Sequence, residues 1–375
     1  MRFLALLLSL VLALPVQAQF VPQPPSVAAK SWLLLEFASG QILASQGPDE
    51  RVEPASLTKL MTAYLTFAAV RDKKLSLQQV LPVSERARKT GGSRMFVDEQ
   101  HPATVEQLIR GMIIQSGNDA CVVLAEAIAG SEETFAQLMN REAERLGMKS
   151  SRFTNSTGLT DANHYTTTRD LSILASALIR DFPEFYPIYS EKEYRFNNIT
   201  QANRNRLLYT DPTVDGVKTG HTEAAGWCLI ASAKRDSRRL LSVVVGTASD
   251  SVRAQESQKL LNYGYQFYDF VKVLGKDQPA AELRLWKAAR NTVKVGMTRD
   301  FGISVPKGSG GKVTTNVVPA AKHQIGAVAA GQPLATLQVL VDGKVDSEHP
   351  LVALEAVEEA GWFGKLWDSL LLLFQ

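Results

Sequence analysis

Ser56 and Lys59 stand three residues apart in E-P-A-S-L-T-K-L-M-T-A-Y, after a turn-like stretch and at the start of an apolar helical pattern. On a helix, positions i and i+3 share a face, so the hydroxyl and the amine can meet. A serine beside a desolvated lysine can be a nucleophile with its own base, with no need of a histidine. The pair alone is a weak signal, because S-x-x-K recurs at Ser304–Lys307 and Ser309–Lys312. Those two matches lie in a Lys/Gly/Ser-rich stretch that reads as a turn.

Two more groups give the first pair its weight. Ser116-Gly117-Asn118, in M-I-I-Q-S-G-N-D-A-C, is the one S-x-N of the chain. It falls where a helical pattern ends at Gln115 and the next begins, a junction that sets a hydroxyl and an amide in a cleft. Lys218-Thr219-Gly220, in V-D-G-V-K-T-G-H-T, precedes the strand pattern G-W-C-L-I-A-S-A. A Lys-Thr pair on an edge strand can hold a carboxylate while the strand backbone pairs with a peptide. Gly220 would admit a ligand backbone closely. Lys89-Thr90-Gly91 spells the same tripeptide, but no strand pattern follows it. It is expected to border the site at most.

The elements that must position these groups are legible from periodicity. Ser31 to Ala44 reads as a hairpin turning at Ala38-Ser39-Gly40-Gln41. A helix is expected from about Ser56. Helical patterns follow from Val105 to Arg145, broken at Gly130-Ser131 and stopped by Gly147. Thr167-Thr168-Arg169-Asp170 should cap another helix, with Arg169 and Asp170 structural rather than catalytic. R-L-L-S-V-V-V-G adds a strand, and an amphipathic helix runs from Val252 to Tyr268. From about Val273 to Leu354 the pattern changes to short alternating stretches with Gly/Pro turns, an all-β, sandwich-like module.

Both ends of the chain carry membrane-related signals. Arg2, the apolar run Phe3–Leu14 and the small residues Val16 and Ala18 read as a secretory signal over residues 1–18. An uncleaved anchor is the alternative. At the other end, G-W-F-G-K-L-W-D-S-L-L-L-L-F-Q drawn as a helix puts Trp362, Phe363, Leu366, Trp367, Leu370, Leu373 and Phe374 on one side. Such a helix suits lying in a membrane interface rather than spanning it. A helix packed on its own protein is the alternative. The domains expected are therefore 1–18, a catalytic unit over 19–272, a β-rich unit over 273–355 and the amphipathic helix over 356–375.

Composition excludes several classes. The chain has 375 residues, 45% hydrophobic and 21% charged, an ordinary globular balance with mass for a sizeable core. A net charge of +3 without a basic, aromatic-interleaved cluster argues against nucleic acid. Cys121 and Cys228, the two cysteines, sit in apolar patterns and are expected to be buried free thiols. His101, His164, His323 and His349 are scattered without ligand spacing, so no metal and no cofactor is expected.

S-x-x-K, S-x-N and K-T-G, in this order, are the motif set of penicillin-binding proteins and class A β-lactamases. The chain resembles the serine D-alanyl-D-alanine carboxypeptidases, the low-molecular-mass penicillin-binding proteins, over nearly its whole mature length. The resemblance implies an α/β (α+β) catalytic domain of the β-lactamase/transpeptidase-like fold, with a central antiparallel sheet and a helical cluster. A small β domain and the C-terminal helix then follow. It implies acyl transfer on the terminal D-Ala-D-Ala of peptidoglycan pentapeptides, acylation by β-lactam antibiotics, and a place on the periplasmic face of the inner membrane.

On that resemblance Ser56 is the nucleophile and Lys59 its base, kept neutral by a nearby Lys218. Ser116 relays a proton to the leaving amine and Asn118 holds the substrate amide. Lys218 and Thr219 bind the terminal carboxylate, Gly220 and His221 shape the pocket, and Arg253 lies near the carboxylate. The backbone N–H groups of Ser56 and His221 form the oxyanion hole. A D,D-endopeptidase shares all three motifs and remains the first alternative, and a penicillin-sensing non-enzyme is another. A class A β-lactamase would need E-x-x-L-N, which the chain lacks.

Overall fold

The apolar runs W-L-L-L and L-L-S-V-V-V form strands buried on both faces. In the computed structural model, which describes residues 21–373, Ser31–Glu36 pairs antiparallel with Ile42–Gln46 and with Arg238–Thr247. Gly226–Arg235 and then Val214–Thr222 extend this to a five-stranded antiparallel sheet, with Val214–Thr222 at its edge. Residues 1–18, read as the export signal, and Phe374 lie outside the described residues.

Side chains alternate across a strand, so the sheet feeds two cores. Leu33, Leu35, Val243 and Val245 face a helical cluster, while Trp32, Leu34, Leu240 and Val244 face the opposite side. The cluster comprises helices Lys59–Arg71, Val105–Ile114, Asn118–Ala129, Glu132–Leu146 and Thr168–Asp181. Phe67, Leu108, Phe135 and Leu174 fill its core. Helix Asp250–Phe267 covers the other face with Leu260 and Leu261.

Helix ends fall where the sequence punctuates. Thr104 and Gln107 form a capping box, and the Ser131, Thr167 and Ser249 hydroxyls accept from the amides of Thr134, Asp170 and Val252. Gly130 and Gly147 end their helices at φ of +79° and +85°, which an L side chain resists. Arg169 pairs with Asp49, and Asp170 accepts from the Ser150 amide and the Ser151 hydroxyl, so both serve structure. One expectation shifts: the α-helix starts at Lys59, and Ser56 sits in a 3-10 turn, Ala55–Thr58, ahead of it.

The β-rich unit has its own core around Leu285, Val295, Val339 and Leu351 and a six-stranded sheet. A strand, Tyr268–Leu274, follows directly on the long helix Asp250–Phe267. That strand pairs with Phe301–Pro306, which carries Ser304. Ser304 is therefore buried in a strand rather than placed in a turn. Its hydroxyl donates to Glu36 Oε2 at 2.8 Å, and Arg238 Nε donates to the same oxygen at 2.7 Å. The chance S-x-x-K match thus joins the β-rich unit to the sheet.

The C-terminal helix, Trp362–Leu372, presents Trp362, Phe363, Leu366, Trp367 and Leu370 to solvent, with Leu373 beyond its end. Its polar side docks instead: Asp368 is buried and accepts from the Lys287 amide. Among the described residues no helix is long and apolar enough to cross a membrane.

Candidate active site

Three chain segments meet at one end of the sheet, around a cavity of about 450 Å³ lined by Ser56, Ser116, Asn118, Thr219, Gly220, His221 and Arg253. The 3-10 turn supplies Ser56. Lys59, behind it, is almost wholly buried, and its Nζ lies 2.9 Å from Ser56 Oγ and 2.6 Å from the Thr157 carbonyl. Burial pulls the Lys59 ammonium down to about 8; Cys121 and Asp119 oppose that fall and Arg204 adds to it. The Ser56 hydroxyl and an amine of lowered basicity are therefore in hydrogen-bond contact.

Ser116 occupies the tight link between helices Val105–Ile114 and Asn118–Ala129. It adopts φ +67°, a left-handed conformation that costs a serine roughly 1–3 kcal/mol and clusters at functional sites. Among the described residues Ser116 Oγ and Asn118 Oδ1 are buried without a hydrogen-bond partner, although both residues line the cavity. Buried polar atoms are normally paired, so two orphans at one cavity mark a place for a ligand's polar groups.

The Asn118 amide is oriented by the loop of the second K-T-G. Its Nδ2 donates to the Gly91 carbonyl at 2.7 Å, and its backbone N–H to the Ser93 carbonyl. Asp119 holds the same loop by accepting from the amides of Met95, Phe96 and Val97. Gly92 and Ser93 then line the cavity, while Lys89 pairs with Glu85. The loop borders the site and supplies no second lysine.

On the edge strand, Lys218 is buried and Thr219 lines the cavity. Burial first, and Lys59 second, pull the Lys218 ammonium well below its ordinary value. The repulsion is mutual, so Lys218 disfavours the Lys59 ammonium as Lys59 disfavours that of Lys218.

A Cβ at Gly220 would stand 3.2 Å from the Pro54 carbonyl and 3.3 Å from Leu57 Cγ, so the glycine lets the Ser56 turn pack closely while it also lines the cavity. His221 is exposed and packs on Trp227 with ring centroids 4.0 Å apart. Arg253 lines the cavity but is buried and largely engaged. It donates to the carbonyls of Gly220 and Cys228, pairs with Asp250 and lies over the Trp227 ring. It props the edge strand.

Arg204, Trp227, Thr157 and Leu159 also line the cavity and were not anticipated. For Arg204 a signal existed in N-R-N. Asn203 and Asn205 are buried, with Nδ2 donating to the carbonyls of Glu191 and Gly216, and the arginine between them faces out. Cys121 and Cys228 are buried free thiols, raised by burial to about 12 and about 11. Neither is placed as a nucleophile.

Residues 18–249 match the D-alanyl-D-alanine carboxypeptidase family, peptidase family S11, and residues 268–359 match the C-terminal domain of penicillin-binding protein 5. The chain is 38% identical over 364 residues to D-alanyl-D-alanine carboxypeptidase DacC of Escherichia coli (strain K12), covering 95% of this chain and 91% of that protein. Penicillin-binding protein 5 from Haemophilus influenzae superposes with a TM-score of 0.84 at 38% identity, over 90% of this chain and all of that one. Penicillin-binding protein D2 from Listeria monocytogenes, in its ampicillin-bound form, superposes with a TM-score of 0.60 at 30% identity, over 65% of this chain and 100% of its own. The chain belongs to the D-alanyl-D-alanine carboxypeptidase family of serine peptidases.

Proposed function

We propose that Ser56 Oγ attacks the carbonyl of the penultimate D-alanine of a peptidoglycan stem peptide while Lys59 takes its proton. The Ser56 ester forms, the D-Ala–D-Ala amide bond breaks, and the terminal D-alanine leaves carrying a proton delivered through Ser116. Water then hydrolyses the ester and restores the serine. Asn118 holds the substrate amide, Lys218 and Thr219 receive the terminal carboxylate, and the backbone N–H groups of Ser56 and His221 receive the oxyanion. A β-lactam enters as a mimic of the same dipeptide and acylates Ser56.

The 2.9 Å contact between Lys59 Nζ and Ser56 Oγ carries this reading. The test is covalent labelling of the mature protein by a fluorescent penicillin. Ser56→Ala should abolish the label and the release of D-alanine from a pentapeptide; a label that persists places the nucleophile elsewhere. Cleavage of a cross-linked dimer faster than the pentapeptide would favour the endopeptidase.

The same reading extends to location. The catalytic unit of 19–272 is exported, and the β-rich unit of 273–355 separates it from a helix over 356–375 that lies on the inner-membrane surface. The outward apolar face of Trp362–Leu372 supports this, with Asp368 docking its other side. Deleting residues 362–375 should move the protein to the soluble fraction with D-alanine release intact. Retention in the membrane pellet would refute the anchor.

A further inference from the structure

His164 lies outside the site cavity, yet it is tied to the turn that holds the nucleophile. Its ring is buried between two segments. The Thr154 amide donates to Nδ1 at 3.3 Å, and the Thr154 hydroxyl stands 3.1 Å from the same nitrogen. Nδ1 is thus the acceptor, and the ring proton resides on Nε2, which donates to Thr58 Oγ1 at 2.9 Å. Thr58 lies between Ser56 and Lys59. Phe153 closes the ring edge-on, with centroids 5.6 Å apart.

The segment that His164 grips is the one that receives Lys59. Thr157 offers its carbonyl to Lys59 Nζ, and Ser156 offers its carbonyl to the Thr62 hydroxyl at 2.6 Å. Asn155 Oδ1 gathers the amides of Thr157 and Gly158 into one tight turn. Gly158, at φ +83°, lets that turn press on the Ser56 turn: a Cβ there would stand 1.8 Å from the Ala55 carbonyl.

We propose that neutral His164 is a positioning residue for the Ser56–Lys59 pair, clamping the Thr157 carbonyl onto Lys59 by bridging Thr154 to Thr58. Glutamine also carries an acceptor and a donor, but both at the end of its chain, where only one of them can stand at a ring-nitrogen position. Protonation would place a second N–H against the Thr154 amide and break the bridge. Burial agrees with a neutral ring, pulling the imidazole down to about 4; Asp161 opposes that fall and Lys59 adds to it. Asp161 faces the ring from its own loop and Lys59 from the helix.

The proposal rests on Ser56 being the nucleophile and Lys59 its base. Its test is penicillin acylation of the full mature protein across pH. His164→Gln keeps a donor for Thr58 and loses the acceptor for Thr154, whereas Thr58→Val removes the acceptor of Nε2. Each should slow acylation roughly 10- to 100-fold, the scale of a displaced catalytic group. The dissociation constant of the non-covalent complex should change less than about twofold.

Loss of the Thr157 carbonyl removes an acceptor that favours the ammonium form. The acid limb of the acylation profile should therefore move to lower pH in both variants. The double variant should be no slower than the slower single one, because both break one bridge. An unmoved acid limb, multiplying effects, or wild-type rates would overturn the proposal. If His164→Gln does not fold, Thr58→Val decides it through its acid limb alone. Labelling that survives Ser56→Ala is a different failure, that of the nucleophile assignment beneath.

Discussion

Lys59 Nζ donates to Ser56 Oγ at 2.9 Å from a position almost wholly closed to solvent. The contact sets a proton-transfer path, and burial sets its pH. With its ammonium near 8, roughly a tenth of Lys59 is neutral at pH 7. In the proposed mechanism the neutral amine is the base, so the acylation rate constant should rise about tenfold per pH unit below 8 and level off above it. Stopped-flow acylation by a chromogenic lactam from pH 5 to pH 10 measures this. A profile flat from pH 6 to pH 9 would remove Lys59 as the titrating base.

Gly220 tests whether the edge strand must touch the nucleophile's turn. Gly220→Ala brings a Cβ to 3.2 Å from the Pro54 carbonyl, and neighbouring atoms must yield. Overpacking of this kind costs about 1–3 kcal/mol. The displaced atoms carry Ser56, so acylation should fall more steeply than stability. Thermal melting and acylation kinetics on the same variant separate the two effects.

Much of this site was legible because acyl transfer needs fixed residue types on elements that announce themselves. Ser116-Gly117-Asn118 sits at a helix break that periodicity reveals, and Lys218-Thr219 opens a strand pattern that becomes a sheet edge. What stayed hidden were contacts between segments far apart in sequence. Thr157 acts through a backbone carbonyl, which carries no side-chain signature. The sequence does not show that Gly220 also packs against Pro54 and Leu57 of the Ser56 turn. Ser304, alike in spacing to Ser56, became a buried link because its strand pairs with Tyr268–Leu274.

Glu36 and Arg238 test the junction of the two units. Glu36 is wholly buried, shares Oε2 between Arg238 and Ser304, and has no partner for Oε1 among the described residues. Glu36→Ala strands a largely buried guanidinium and should cost about 3–5 kcal/mol. Arg238→Met combined with Glu36→Met should recover much of that loss, since no uncompensated charge remains. Chemical denaturation of the three variants checks the order. A double variant as unstable as Glu36→Ala would mean that the hydrogen bonds to Ser304 and to the Gly264 and Tyr268 carbonyls matter more than the pair.

The terminal helix allows the proposed membrane attachment to be weakened in two separate ways. Trp362, Phe363, Leu366, Trp367 and Leu370 are exposed along one side, while Asp368 is held by the Lys287 amide on the other. Burying one such apolar side chain stabilises by about 1.5–3 kcal/mol. Trp367→Asp removes that burial and adds a charge, so co-sedimentation with anionic vesicles should fall at least tenfold. D-alanine release from a soluble pentapeptide should not change, because the helix lies outside the cavity lining. Asp368→Ala frees the helix from the β-rich unit without touching the apolar face, so vesicle binding should persist. Equal loss in both variants would mean that the membrane reads the docked orientation of the helix rather than its apolar surface.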